Sequence, residues 1–241
     1  MRIYVPHTLK PGATLRLPDA AAHHVARVMR RREGDALVLF DGKGIEVSAH
    51  IAAVSKRGDV QVTLGERQSA LPESPLAVHL GLAVGKGDRM DFAIQKSVEL
   101  GVAAITPLYT EFGDVRLKAE RAQKKRDHWQ AVAVNACEQC GRATVPVIYP
   151  PTALTDWLAD RQESLRLVLH PYGATAPMSS DAAPAGAALL IGPEGGLSDQ
   201  EVVAAHAHRF TSWIIGPRIL RMETAPIVAL SLLQARFGDF A

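Results

Sequence analysis

From residue 77 onward the chain alternates short apolar runs with longer amphipathic stretches, and this alternation narrows the possible folds more than any other feature. The runs 77–83, 104–108, 145–148, 166–169, 187–191 and 213–215 read as strands, and 88–100, 119–140, 152–159, 198–208 and 225–236 read as helices. Strands that alternate with helices cross over in parallel, and strands this apolar are covered on both faces. The expectation is therefore an α/β domain on a parallel sheet. Ser198-Asp199-Gln200-Glu201 has the capping-box pattern that starts a helix, and Gly101 closes an earlier one.

The first 70 residues follow a different rule. The segments 2–5, 36–40, 46–54 and 60–64 are β-branched or alternating runs punctuated by Pro11-Gly12, Asp41-Gly42 and Gly58-Asp59. Between them 19–32 reads as a helix with a basic outer side. Strands packed this closely suggest a small barrel. The proline-containing stretch 68–75 separates the two patterns, which gives domains at 1–70 and 74–241. Charge divides the same way. Residues 1–72 hold 11 Lys and Arg against 7 Asp and Glu, whereas 151–241 hold 6 against 9. Such polarity suits a polyanion-facing module joined to a chemical one. No apolar run approaches the roughly 20 residues that cross a bilayer, and the start MRIYVPHTLK has no secretory pattern. A cytoplasmic protein is expected, without metal or membrane partner. Cys137 and Cys140 lie three apart on a predicted helix, which suits packing rather than zinc or redox chemistry.

Two segments near the C-terminus do not read as ordinary loops. IGPEGGL (191–197) leaves a buried strand and enters the capped helix, and IGPRILRMETAP (215–226) leaves the next strand toward another helix start at Thr224 and Pro226. Glycine and proline at this density fix an unusual backbone path and let a second molecule approach the main chain closely. Both lie at carboxyl ends of parallel strands, where α/β sheets bind ligands. Neither matches GxGxxG or GxxxxGK[ST], so a dinucleotide or triphosphate cradle is not indicated.

GPEGGLSDQE (192–201) followed by IGPRILRMETAPIVAL (215–230) resembles the RsmE family of 16S ribosomal RNA methyltransferases, within the SPOUT superfamily. HHVARVMRRREGD (23–35), GKGDRMDFAIQKSVELGVAAITPLYTE (85–111) and HWQAVAVNACEQCGRATVPVI (128–148) match further family blocks in the same order. The resemblance implies an N-terminal PUA-like RNA-binding β-barrel and a SPOUT-type α/β domain with a deep C-terminal trefoil knot. It also implies a homodimer, S-adenosyl-L-methionine as methyl donor, and N3-methylation of uridine 1498 in 16S rRNA, either free or in the small ribosomal subunit. Carried over residue by residue, the donor pocket falls on Leu169 and His170, on Ile191, Gly192, Pro193, Glu194, Gly195 and Gly196, and on Ile215, Gly216, Ile219, Leu220 and Thr224.

The uracil N3 is a poor nucleophile until it loses its proton, so the chemistry needs a base and a group that stabilises the uracil anion. Arg221 is the candidate for the charge, and Glu223 or Glu194 for the proton. The RNA candidates are Arg2, His23, Arg27, Arg30 and Arg31, with Lys86, Arg89 and Arg142. The chain departs from the family pattern at Phe112-Gly113, at Met222 and at Pro226. A silent RNA-binding assembly protein with the same fold is the alternative reading, disfavoured by the intact glycine loops.

Overall fold

In the computed structural model, which describes residues 1–113, 118–170 and 183–240, contacts divide the chain into two units. The first comprises Met1–Glu73 with Cys137–Val145, the second Ser74–Ala136 with Pro146–Ala241.

The first unit contains β1 (Arg2–Tyr4), β2 (Thr14–Arg16), α1 (Asp19–His23), β3 (Ala36–Phe40), β4 (Glu46–Val54) and β5 (Val60–Gln68). They form a five-stranded sheet in the order β1-β3-β4-β5-β2, antiparallel except for β1 with β3. Ile3, Leu17, Val25, Leu39, Ile51 and Val62 lie in its core. β2 escapes sequence reading because three residues are too few to show alternation.

The helix expected over 19–32 is shorter and changes character. After α1 the chain makes one π-helical turn, His24–Val28. The N–H of Arg31 then bonds the carbonyl of Val25 at 3.0 Å, and Arg30 takes a left-handed φ of 51°. That is a helix ending in the manner of a Schellman turn, with an arginine where glycine is usual. The second unit was expected to run unbroken from residue 74, but Cys137–Val145 packs with the first. β1 needs partners on the edge away from β3: Glu138 Oε1 accepts from the Tyr4 N–H at 2.9 Å, and Gly42 bridges Thr144.

The second unit contains β6 (Val78–Ala83), α2 (Asp88–Glu99), β7 (Ala104–Tyr109), most of α3 (Ala119–Cys140), β8 (Val147–Ile148), β9 (Thr152–Ala153), α4 (Leu154–Ala159), β10 (Leu165–Leu169), β11 (Ala187–Ile191), α5 (Asp199–Ala207), β12 (Thr211–Trp213) and α6 (Ala225–Phe237). The sheet runs β12-β10-β11-β6-β7-β8, β9 adds to β7, and every pair is parallel. The predicted α/β architecture is present. β11 is buried along its whole length, as a strand covered on both faces requires. On α2, Met90, Ala93, Ile94, Ser97 and Val98 share the buried face.

Three boundaries differ from expectation. The last strand is Thr211–Trp213, so Ile215 falls in the loop; 145–148 shortens to Val147–Ile148; and Thr152–Ala153 pairs with β7 instead of opening a helix. Of the Ala/Pro/Ser-rich stretch 174–188, expected as a loop, residues 174–182 lie outside the described residues.

α6 packs beside α2 and is fastened there by Gln234, whose buried amide donates to the carbonyl of Leu100 at 3.1 Å and accepts from Ser74 Oγ at 2.6 Å. The chain therefore leaves β12 at one sheet edge and ends beside α2, with Met222 packed against Gly85 at the end of β6 on the way.

Candidate functional site

In chain order the sheet first grows from β6 through β7 to β8, then resumes on the other side of β6 with β10, β11 and β12. The order reverses between β6 and β11, and α/β sheets place ligands outside the carboxyl ends of strands at such a reversal. The register puts four strand ends level there: Leu82 is paired with Ile191, Ile191 with Leu169, and Leu169 with Trp213. The segments leaving these ends are 84–87, His170, 192–198 and 214–224. The three loops nominated from sequence thus share one end of the sheet.

The glycines in these loops serve two different purposes. A Cβ at Gly192 would sit 2.9 Å from Leu197 Cγ, and one at Gly195 would sit 3.2 Å from Phe112 Cβ, so both are needed for packing. Gly196 and Gly216 instead have φ of +78° and +68°, and a Cβ at either would meet nothing within 4 Å. These two leave open room beside exposed backbone. The helix after the first loop starts as predicted. Ser198 Oγ accepts from the Glu201 N–H at 3.3 Å, and Glu201 Oε2 accepts from the Ser198 N–H at 2.9 Å. Glu201 Oε1 also accepts from the N–H of Glu111 at 2.8 Å, which ties the Phe112 loop to the same helix start. Phe112, a departure from the family pattern, is a packing partner of the glycine loop.

At the second loop Met222, another departure, is buried. A Cβ at Gly85 would collide with its terminal methyl, so these residues hold the loop against the end of β6. Thr224 precedes α6 as expected, with Pro226 in its first turn, but its side chain makes no capping bond. Ile219 is 81% exposed, an apolar side chain beside the site that the loop does not cover.

The nominated glutamates meet through a residue placed elsewhere by sequence reading. Arg89, at the start of α2, donates from Nη1 to Glu194 Oε1 at 2.9 Å, and its Nε lies 4.0 Å from Glu223 Oε1. Glu194 is exposed. Glu223 is largely buried, and its Oε2 is buried with no hydrogen-bond partner among the described residues. Arg221 is exposed, with no ion pair among the described residues. No local signal could have revealed the Arg89–Glu194 pair, whose members are 105 positions apart.

The family model described as RNA methyltransferase domain matches residues 72–234, and the one described as RNA methyltransferase PUA domain matches 17–64. Ribosomal RNA small subunit methyltransferase E of Buchnera aphidicola is 33% identical over 241 residues, covering 100% of this chain and 98% of that protein. The Bacillus subtilis protein of the same name is 32% identical over 94% of this chain and 91% of its own length. The chain belongs to the RsmE family. The Neisseria gonorrhoeae RsmE structure, bound to S-adenosyl methionine, superposes with a TM-score of 0.92 at 38% identity, covering 100% of this chain and 99% of that one. A Legionella pneumophila structure in complex with the bound cofactor SAM superposes with a TM-score of 0.94 at 43% identity, covering 99% and 98%.

This RsmE-family chain places its RNA candidates unequally. His23, Arg27, Arg30 and Arg31 are exposed on the first unit, and Lys86 is exposed on the second. Arg2 is half-buried. It pairs with Glu46, donates to the carbonyl of Arg142 at 3.0 Å and lies over the Phe40 ring. Arg142 pairs with Glu73. Both are committed to holding 137–145 in the first unit. Cys137 is buried, and desolvation pushes its thiol up to about 12 against the opposing pull of Arg142, which keeps it unreactive. No helix among the described residues is long and apolar enough to cross a membrane.

Proposed function

We propose that the chain transfers a methyl group from S-adenosyl-L-methionine to N3 of a uridine in small-subunit ribosomal RNA, uridine 1498 of 16S rRNA by the family resemblance. The observation that carries this reading is the level set of strand ends at the reversal of the sheet, which gathers the loops after β10, β11 and β12. Open space beside the backbone of Gly196 and Gly216 fits a nucleoside lying against main-chain donors and acceptors. Leu169, His170, Ile191–Gly196, Ile215, Leu220, the exposed Ile219 and the uncapped Thr224 hydroxyl would hold it. S-adenosyl-L-methionine supplies an electrophilic methyl group on a sulfonium.

The chain's own part is to prepare the nucleophile. Glu223 Oε2, buried and unpartnered, takes the N3 proton of the uracil, while Glu223 Oε1 is held toward Arg89. Arg221, exposed and without an ion pair among the described residues, stabilises charge building on the uracil oxygens. Glu194, already engaged by Arg89, positions that arginine. His23, Arg27, Arg30, Arg31 and Lys86 take RNA phosphates. The chain works in the cytoplasm as a homodimer, supported by Phe92 on α2 and Leu232 on α6, large apolar side chains left exposed on neighbouring helices. A C-terminal trefoil knot is read from the family resemblance, and the run of 214–224 from the β12 edge of the sheet to Gly85 at the end of β6 supports it.

Calorimetry with S-adenosyl-L-methionine, and mapping of N3-methyluridine in 16S rRNA with and without the protein, test the reading. Glu223→Gln is expected to slow methyl transfer about 100-fold or more with donor affinity unchanged. A chain that binds RNA but no donor would instead be a silent assembly protein.

A further inference from the structure

A cleft of about 360 Å³ lies in the second unit away from the strand ends just described, lined by His79, Thr106, Tyr149, Trp157 and Arg161. Its aromatic wall is ordered: His79 stacks on Tyr149 with centroids 5.4 Å apart and 17° between planes, and Trp157 meets His79 edge-on at 5.8 Å.

The protonation state of His79 decides what the wall offers. Burial first, and the Arg161 guanidinium second, hold His79 down to about 3, so its ring is neutral at working pH. Arg161 Nη1 bonds His79 Nδ1, and a guanidinium can only donate, so Nδ1 is the acceptor and Nε2 carries the proton. Nε2 then donates to Thr106 Oγ1 at 2.8 Å. The indole N–H of buried Trp157, 3.5 Å from the same Nε2, faces another donor and has no acceptor there. Thr106 Oγ1, already accepting, has its own proton to give, and Arg161 makes no hydrogen bond through Nη2 among the described residues. The cleft is therefore flat-walled and rich in donors.

It is not an anion site. The Arg161 charge is paired with Glu163 at 3.1 Å, and Asp160 adds a negative charge at the cleft. Arg126 on α3 donates from Nε to the carbonyl of Ile148, the residue before Tyr149, at 3.0 Å, and the same stretch of that helix carries the exposed Arg121, Lys124 and Lys125.

We propose that this cleft is a second RNA contact that receives one unpaired nucleobase by its carbonyl edge, with the adjoining phosphates on the basic surface of α3. The inference rests on the reading of the protein as an RNA methyltransferase and adds a site outside the methyl-transfer loops.

The test uses the full chain, a fluorescein-labelled single-stranded RNA of about a dozen nucleotides, and an abasic sugar–phosphate strand of the same length. Tyr149 is 44% exposed, so Tyr149→Ala can be made without opening the core. It is expected to weaken RNA binding about tenfold, the scale of one base–aromatic stack. Affinities for the abasic strand and for S-adenosyl-L-methionine should stay unchanged. Thr106→Val should weaken RNA binding in the same selective way. If Tyr149→Ala binds RNA like the wild type, or loses affinity for both strands equally, the cleft is no base pocket while the methyltransferase reading stands. A wild-type chain that binds neither RNA nor donor overturns both.

Discussion

At the scale of single residues, one carboxylate with unmet hydrogen-bonding capacity stands out at the strand ends of the second unit. From the sequence Glu223 was one of two candidate proton acceptors, with nothing to choose between them. What distinguishes it is an Oε2 buried without a hydrogen-bond partner among the described residues, which neither periodicity nor spacing reports. His79 likewise gave no sequence signal, yet it has a measurable consequence. Folded, it is neutral down to about pH 3; unfolded, it takes up a proton below about 6.5. The unfolded state thus binds the extra proton between these values, and stability falls as pH falls through that window, by up to about 1.4 kcal/mol per unit. Urea unfolding at pH 7 and pH 5 should show a larger acid-induced loss in the wild type than in His79→Asn. Equal losses would mean that another group sets the acid limit.

At the scale of elements, helix starts and glycine turns were legible because their causes lie within a few residues. The capping box at Ser198 and Glu201 forms as its four-residue pattern says, and Gly101 ends α2 with a φ of +79°. Glu201 does more than the pattern reveals, since it also holds the Glu111 N–H. Ser198→Ala is expected to cost about 1 kcal/mol. Glu201→Ala should cost more, because it strands two backbone donors instead of one. Chemical denaturation compares them, and equal costs would show that the Glu111 bond contributes nothing. Elements whose identity depends on a partner were misplaced. The strand at Thr211–Trp213 is set by pairing with β10, and the two-residue β9 exists only because β7 accepts it. The helix expected through Arg32 ends early because Arg30 reverses the backbone.

For the whole molecule, the charge polarity read from composition has a structural counterpart. Arg27, Arg30 and Arg31 stay exposed on the first unit, while Arg2 and Arg142 are withdrawn into ion pairs. Replacing the three exposed arginines together with alanine should lower the salt dependence of RNA affinity by about two to three phosphate contacts and leave donor binding intact. Plotting log affinity against log salt measures it, and an unchanged slope would move the phosphate contacts elsewhere. The sequence by itself determined the βα alternation, the two glycine-rich turns and the helix starts, because each follows from side-chain chemistry over neighbouring positions. Only the tertiary structure decided that Arg89 joins Glu194 to Glu223, that Cys137–Val145 completes the first unit, and that His79, Tyr149 and Trp157 share a cleft. Those meetings depend on the order in which strands assemble, and strand order is set by packing over distances that local patterning does not encode.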